Sequence, residues 1–311
     1  MIIPPRVVKG QTIGVVAPSG PVKLERLRLG LACLGDAFEL RLAPSVTGPH
    51  APGTPSYLAA PDEVRAAELT AMLADPDVRA IIFARGGYGV MRILPHLDPQ
   101  LLARDPKPIV GFSDATALLA WAYHAGVRGI HGPIVAQLSD LPPADVAHLI
   151  ALLTEPRPLG ERAWPLRSHG RGSYRGPLVP ANLSLASFLV GTPWPLPLAG
   201  AIALFEEVGE RPYEIDRYLT QLALTGELAE PVAAVIGELI RCRDLNPPTG
   251  KPDPDDAALA VMLERLAAAG APVAVGAPVG HGQRNEAVPF GAMCELDLDR
   301  SAITITEPAV A

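Results

Sequence analysis

Residues 80–89 read AIIFARGGYG and residues 108–119 read PIVGFSDATALL. Each opens as a short apolar run with β-branched residues and no polar interruption. Such a run is a strand buried on both faces, as in a parallel sheet. Each then breaks at glycine. Gly86, Gly87 and Gly89 follow the first strand; Gly111-Phe112-Ser113-Asp114 closes the second. Beyond the second break, apolar spacing predicts a helix over residues 115–124. Strand, turn and helix in that order are the unit of an α/β domain.

Working outward, TIGVVA (12–17) predicts another strand, stopped by Pro18-Ser19-Gly20. Helical spacing covers 24–34 and 61–73, the second opening on Pro-Asp-Glu with an acidic first turn. Residues 129–135 predict a further strand. Residues 156–176 are rich in Pro, Gly and Arg and carry no period, which reads as an interdomain linker or long surface loop. Past it, strands are expected at 202–206, 232–238, 273–276 and 302–306, with helices at 181–190, 214–222 and 255–269. Residues 247–254 read as an exposed, proline-rich loop tip. The expected fold class is α/β: an N-terminal parallel α/β sheet domain (1–155), then a smaller mixed α+β, strand-rich C-terminal domain (177–311).

Composition narrows the function classes. Of 311 residues, 49% are hydrophobic and 19% charged, so a packed core is expected rather than disorder. The net charge is −7 and no Lys/Arg run stands out, which argues against nucleic-acid binding. No stretch reaches the roughly 18 apolar residues of a membrane helix, so no membrane partner is expected. The opening MIIPPRVVKG has no basic n-region or apolar h-region, so a cytoplasmic location is expected. Cys33, Cys242 and Cys294 lie far apart without CxxC spacing and read as packed thiols. No metal-ligand spacing is present, and no metal or other cofactor is expected.

Four segments could carry chemistry. Ser113 sits where a strand turns into a helix, at the sheet edge where open α/β folds hold ligands. The helix N-terminus there suits an oxyanion. The segment is not GxSxG, although its mechanical logic is similar; a plain N-cap is the competing reading. Gly86 and Gly87 let backbone N–H groups approach a ligand closely, or simply make a tight turn. Glu206 and Glu207 end an apolar strand, where a carboxylate is costly without a partner. His281, between Gly280 and Gly282, is a candidate base or a plain loop histidine. His131, beside a strand-ending glycine, is its rival.

Taken together, GVVAPSGPV, ARGGYGVMRILPHLD, IVGFSDATALL, HGP (131–133), LFEEVGERPYEIDRYLTQL and GHGQRNEAVPFGA resemble the LD-carboxypeptidases. This serine peptidase family also includes the immunity peptidases against peptide-nucleotide antibiotics. The resemblance runs over nearly the whole chain. It implies a Ser-Glu-His triad on Ser113, Glu206 and His281, with Glu207 as the one-residue alternative to Glu206. It implies the backbone N–H groups of Asp114 and of Gly86 or Gly87 as oxyanion donors. The implied reaction releases terminal D-alanine from a murein tetrapeptide through an acyl-enzyme, during peptidoglycan recycling. The partners expected are a small peptide ending in a D-amino acid and, in a homodimer, a second copy of the chain. The alternative within the family is hydrolysis of an aminoacyl-nucleotide antibiotic, with Trp164 or Tyr174 as an aromatic shelf for the base. A non-catalytic peptidoglycan-fragment binder is the alternative outside it.

Overall fold

The computed structural model describes residues 1–248 and 250–311; Thr249, within the 247–254 loop tip, lies outside the described residues. Two compact units emerge. The first comprises Met1–Arg157, Glu286–Phe290 and Pro308–Ala311; the second comprises Pro158–Asn285 and Gly291–Glu307. In chain order the strands are β1 (Thr12–Val16), β2 (Glu39–Leu42), β3 (Val78–Phe83), β4 (Ile109–Gly111), β5 (Gly129–His131), β6 (Pro158–Arg162), β7 (Arg167–His169), β8 (Ser173–Asn182), β9 (Ile202–Val208), β10 (Ala233–Ile240), β11 (Val273–Val275), β12 (Val288–Phe290), β13 (Met293–Asp297) and β14 (Ala302–Pro308).

The sheet of the first unit has the order β12-β5-β4-β3-β1-β2. All neighbours are parallel except β12, which runs antiparallel to β5. The apolar runs read from the sequence are its interior: Val15, Ile81, Ile82, Phe83, Ile109 and Val110 are all fully buried. Each such side chain contributes about 1.5–3 kcal/mol by leaving water. Helices Leu24–Ala32, Asp62–Ala74, Thr116–His124 and Pro143–Thr154 accompany the sheet. Gly30, in the first of them, carries no side chain for a steric reason: a Cβ there would fall 1.9 Å from the Val135 carbonyl oxygen. Strand order reverses at β1, whose neighbours are β2 on one side and β3 on the other. Ligands of open α/β sheets bind at such switch points, at the carboxyl ends of the strands.

The second unit holds an eight-stranded sheet in the order β6-β14-β13-β8-β9-β10-β11-β7. Its centre, β8 to β11, is parallel; β13 and β7 flank that centre antiparallel. The architecture is the α/β plus strand-rich α+β arrangement expected. Two segments differ from the reading. Residues 156–176 contain β6, β7 and the start of β8. Here β6 and β7 are the two outer strands of the sheet and half-exposed. An outer strand needs little apolar alternation and tolerates Arg, Gly and Pro, so composition resembles a loop. Residues 286–290 and 308–311, grouped by the reading with the C-terminal half, belong to the first unit, where β12 supplies the outer strand beside β5.

Candidate active site

In the first unit, β4 stops at Gly111, where a Cβ would sit 2.6 Å from that of Ala115. Phe112 remains extended, and Ser113 then turns the chain with φ 62°. That left-handed conformation is uncommon for a non-glycine residue and marks a turn held by its surroundings. The serine opens a 3-10 turn (Ser113–Ala115) that runs into helix Thr116–His124. No side chain caps either element, so the N-cap reading of Ser113 does not describe this turn. A strained serine between strand and helix is the mechanical element of a nucleophile elbow.

The glycine loop lies directly against it. A Cβ on Gly86 would approach Ser113 Cβ to 3.3 Å and its Oγ to 3.4 Å. Gly87 and Gly89 have φ of 120° and 135°, which side chains rarely adopt. The Asp114 side chain turns inward. Its Oδ2 accepts from the Ser19 hydroxyl at 2.6 Å and from Val90 N–H at 3.0 Å. Burial pushes the Asp114 carboxyl up, while the Ser19 hydroxyl, the N–H groups of Val90 and Gly89 and the Arg65 charge pull it back. Arg65 is itself buried; it donates to Pro18 O and Ala60 O, to Gly89 O at 3.0 Å, and to Asp62. Loops leaving β1, β3 and β4 are thus pinned together beneath Ser113 by one buried acid and one buried cation. Ser19 and Arg65 are neighbours of the candidate site that sequence motifs do not mark. A usable signal existed for Arg65: it shares the helical i, i+4, i+7 stripe with buried Leu69 and Met72.

In the second unit, Glu206 ends the apolar run of β9 and is itself fully buried. Opposite it the β9–β10 register slips between Ile236 and Leu239. Two residues, Gly237 and Glu238, occupy that bulge, a device that re-aims side chains beside active sites. The 276–282 loop crosses the bulge. Val279 O accepts from Glu238 N–H at 3.0 Å, and a Cβ on Gly237 would strike the same oxygen at 2.6 Å. Gly280, at φ 132°, passes so near Glu206 that a Cβ would stand 2.8 Å from Oε2. This close passage sets the His281 Nδ1 to Glu206 Oε2 distance at 2.6 Å. Burial opposes the His281 imidazolium, but the Glu206 charge and hydrogen bond outweigh it, and the pKa rises above the ordinary histidine value. An acid on Nδ1 fixes the ring and leaves Nε2 as the working nitrogen.

Glu207 faces another way. Its Oε1 accepts from Asn182 Nδ2 at 2.9 Å and Val208 N–H at 2.8 Å, and its Oε2 from Ser184 N–H at 2.8 Å. Burial first, and the Glu206 charge second, push its pKa up to about 7. His131, the rival base, is fully buried in β5 with its ring 6.1 Å from that of Phe112. Trp164 is buried, and the Tyr174 hydroxyl donates to Arg171 O at 2.8 Å; the Trp164 ring presents no open face for a base. The candidate residues therefore form two clusters: Ser113, Gly86, Gly87 and Asp114 in the first unit, Glu206 and His281 in the second.

The chain matches the LD-carboxypeptidase N-terminal domain over residues 13–132 and the LD-carboxypeptidase C-terminal domain over residues 175–296. A putative carboxypeptidase of Streptomyces coelicolor is 38% identical, covering 100% of this chain and 98% of its own. A probable murein peptide carboxypeptidase of Bacillus subtilis is 31% identical, covering 93% and 89%. The solved structure of the microcin C7 self immunity protein MccF in complex with aspartyl sulfamoyl adenosine superimposes with a TM-score of 0.86 at 22% identity, each chain covered in full. A further structure of that protein holds adenosine monophosphate. The expectation of a small peptide ending in a D-amino acid as the partner is corrected by these complexes. MccF, which shares this fold, takes a nucleotide and an aminoacyl-nucleotide analogue as ligands, a class that a resemblance built on catalytic motifs does not resolve. The chain belongs to the LD-carboxypeptidase family, a serine-hydrolase family acting on small acylated substrates.

Proposed function

We propose that this chain is a serine hydrolase that cleaves aminoacyl-nucleotides at the acyl carbonyl. The observation that carries the reading is Ser113, held at φ 62° against Gly86 at the carboxyl edge of a parallel sheet. In this reading Ser113 Oγ attacks the carbonyl carbon and its proton passes to His281 Nε2. Glu206, on Nδ1, stabilises the imidazolium. The tetrahedral oxyanion is taken by backbone N–H groups of Asp114 and of Gly86 or Gly87. His281 then returns the proton to the leaving nitrogen, and water hydrolyses the acyl-enzyme by the same steps in reverse. The nucleotide-bearing complexes of MccF support the substrate class.

The test is a two-substrate assay read by mass. Purified protein is incubated with aspartyl sulfamoyl adenosine and, separately, with a murein tetrapeptide. Release of aspartate from the first is expected, together with covalent labelling of Ser113 by a fluorophosphonate. Release of D-alanine from the second, with the nucleotide left intact, replaces the substrate class with the reaction in the B. subtilis relative's name. No labelling of Ser113 removes the nucleophile assignment itself.

A further inference from the structure

Two tyrosines that the mechanism does not use stand beside the nucleophile. Tyr88 lies between Gly87 and Gly89 in the loop whose Gly86 abuts Ser113. Tyr57 belongs to a separate segment, brought in through Gly20: Gly20 N–H donates to Gly86 O at 3.2 Å, and a Cβ on Gly20 would stand 3.1 Å from Tyr57 O. The two rings meet edge to face, with centroids 5.8 Å apart at 63°. Despite that contact they remain 53% and 51% exposed. Large aromatic side chains usually bury most of their area, because each removes a large apolar surface from water. Two rings left open and fixed in a corner form a surface for a flat ligand. Arg92 flanks them, held by Asp62 at 2.7 Å. Two residues of chain span at most about 7 Å, so Tyr88 is within one small group's length of the Gly86–Ser113 contact.

We propose that Tyr57 and Tyr88 form the base-binding shelf of this enzyme: the nucleobase of an aminoacyl-nucleotide stacks in the corner between the two rings while its acyl carbonyl lies at Ser113. The inference rests on the hydrolase reading above and adds to it the residues that select the substrate. Stacking is tolerant of base identity, since every base offers a π-face. The shelf therefore favours adenosine and guanosine compounds alike over acyl substrates without a base.

Steady-state kinetics on aspartyl sulfamoyl adenosine and on aspartyl p-nitroanilide, which has no nucleoside, test this. Tyr57→Ala and Tyr88→Ala are each expected to raise KM for the nucleotide about tenfold, leaving kcat and the anilide reaction near wild type. Tyr88→Phe, which keeps the ring, restores the wild-type KM. Calorimetric binding of adenosine monophosphate to the same proteins gives a readout independent of turnover; the alanine variants are expected to bind it about tenfold more weakly. Unchanged KM and unchanged binding in both alanine variants overturn the shelf. So does an equal loss on both substrates, which marks a structural effect. A wild-type enzyme that binds the monophosphate through these rings but cleaves neither substrate defeats the hydrolase reading and leaves the shelf standing.

Discussion

The serine cluster and the histidine cluster are built on different physics. Around Ser113 the determinants are steric and backbone: a left-handed serine, glycines that admit close approach, and a buried Asp114–Arg65 framework tying three loops. Around His281 they are electrostatic: two buried carboxylates on consecutive residues, of which one faces the ring and the other is engaged by Asn182, Ser184 and Val208. The first cluster should fail when shape changes and charge does not. The second should fail when charge changes and shape does not.

The largest effect is expected from Ser113→Ala, on the order of a 10⁶-fold loss of kcat, the loss measured for a nucleophile knockout in a serine protease. Unfolding by heat should be nearly unchanged, because alanine tolerates the same turn about as well and no cap hydrogen bond is lost. More than a tenth of wild-type activity in the variant breaks the assignment. Next is the charge test. Glu206→Gln keeps the shape and removes the carboxylate on Nδ1, and a loss of about 10⁴ is expected, as for an orienting Asp changed to Asn. Glu207→Gln should cost less than tenfold. A reversed ranking moves the orienting role to Glu207.

The shape test is smaller. Gly86→Ala adds no charge but brings a methyl group to 3.3 Å from Ser113 Cβ, so the serine must give by a few tenths of an ångström, and a loss of about tenfold in kcat is expected, short of the ~10² of a 1 Å misplacement. Gly126→Ala is the control: unlike Gly86 it has positive φ, at 84°, so the backbone is strained, yet no atom of the described residues lies within 4 Å of its added Cβ. It should lower Tm slightly and leave kcat alone. Equal kinetic loss in both variants would erase the distinction between the clusters. The smallest effect is in pH. The base must be neutral, and the Glu206 carboxylate holds the His281 imidazolium above the ordinary value of 6.5, so the acid limb of kcat/KM is expected above that pH. Because the folded pKa is raised, the pair's stability is complete below 6.5 and is lost as pH climbs through the folded value. The Tm advantage of wild type over His281→Gln should accordingly shrink with rising pH.

Legibility in the sequence followed burial. Strands β1, β3, β4 and β9 are buried on both faces along most of their length, so each carries a short apolar run (13–16, 80–83, 109–110 and 202–205) that, bounded by glycine or acidic residues, reads as a strand. Strands β6 and β7 are outermost and short, and their Arg, Gly and Pro residues meet solvent, so nothing periodic marks them. Helix Pro143–Thr154 lies outside the expected elements although Pro143 at its first position and Asp145 in its first turn announce it. Ser113, Glu206 and His281 were singled out because glycines or an apolar strand surround them. The Ser19–Asp114 bond joins residues 95 positions apart, and the turn of the Asp114 side chain into the interior depends on loops from other strands. Local pattern contains no trace of such a contact. Nothing in the glycine loop's sequence marks Tyr88, because exposure is a property of the folded surface.

The antiparallel strand Val288–Phe290 on Gly129–His131 bears on how the molecule is made. A ribosome delivers roughly 5–20 residues per second, so the chain from His131 to Val288 takes about 8–30 s to emerge. Throughout that interval β5 presents an open row of backbone N–H and C=O groups, the template on which a second nascent chain pairs. The protein is thus most vulnerable to mispairing during its own synthesis, and that exposure ends only when Val288–Phe290 emerge and pair with Gly129–His131.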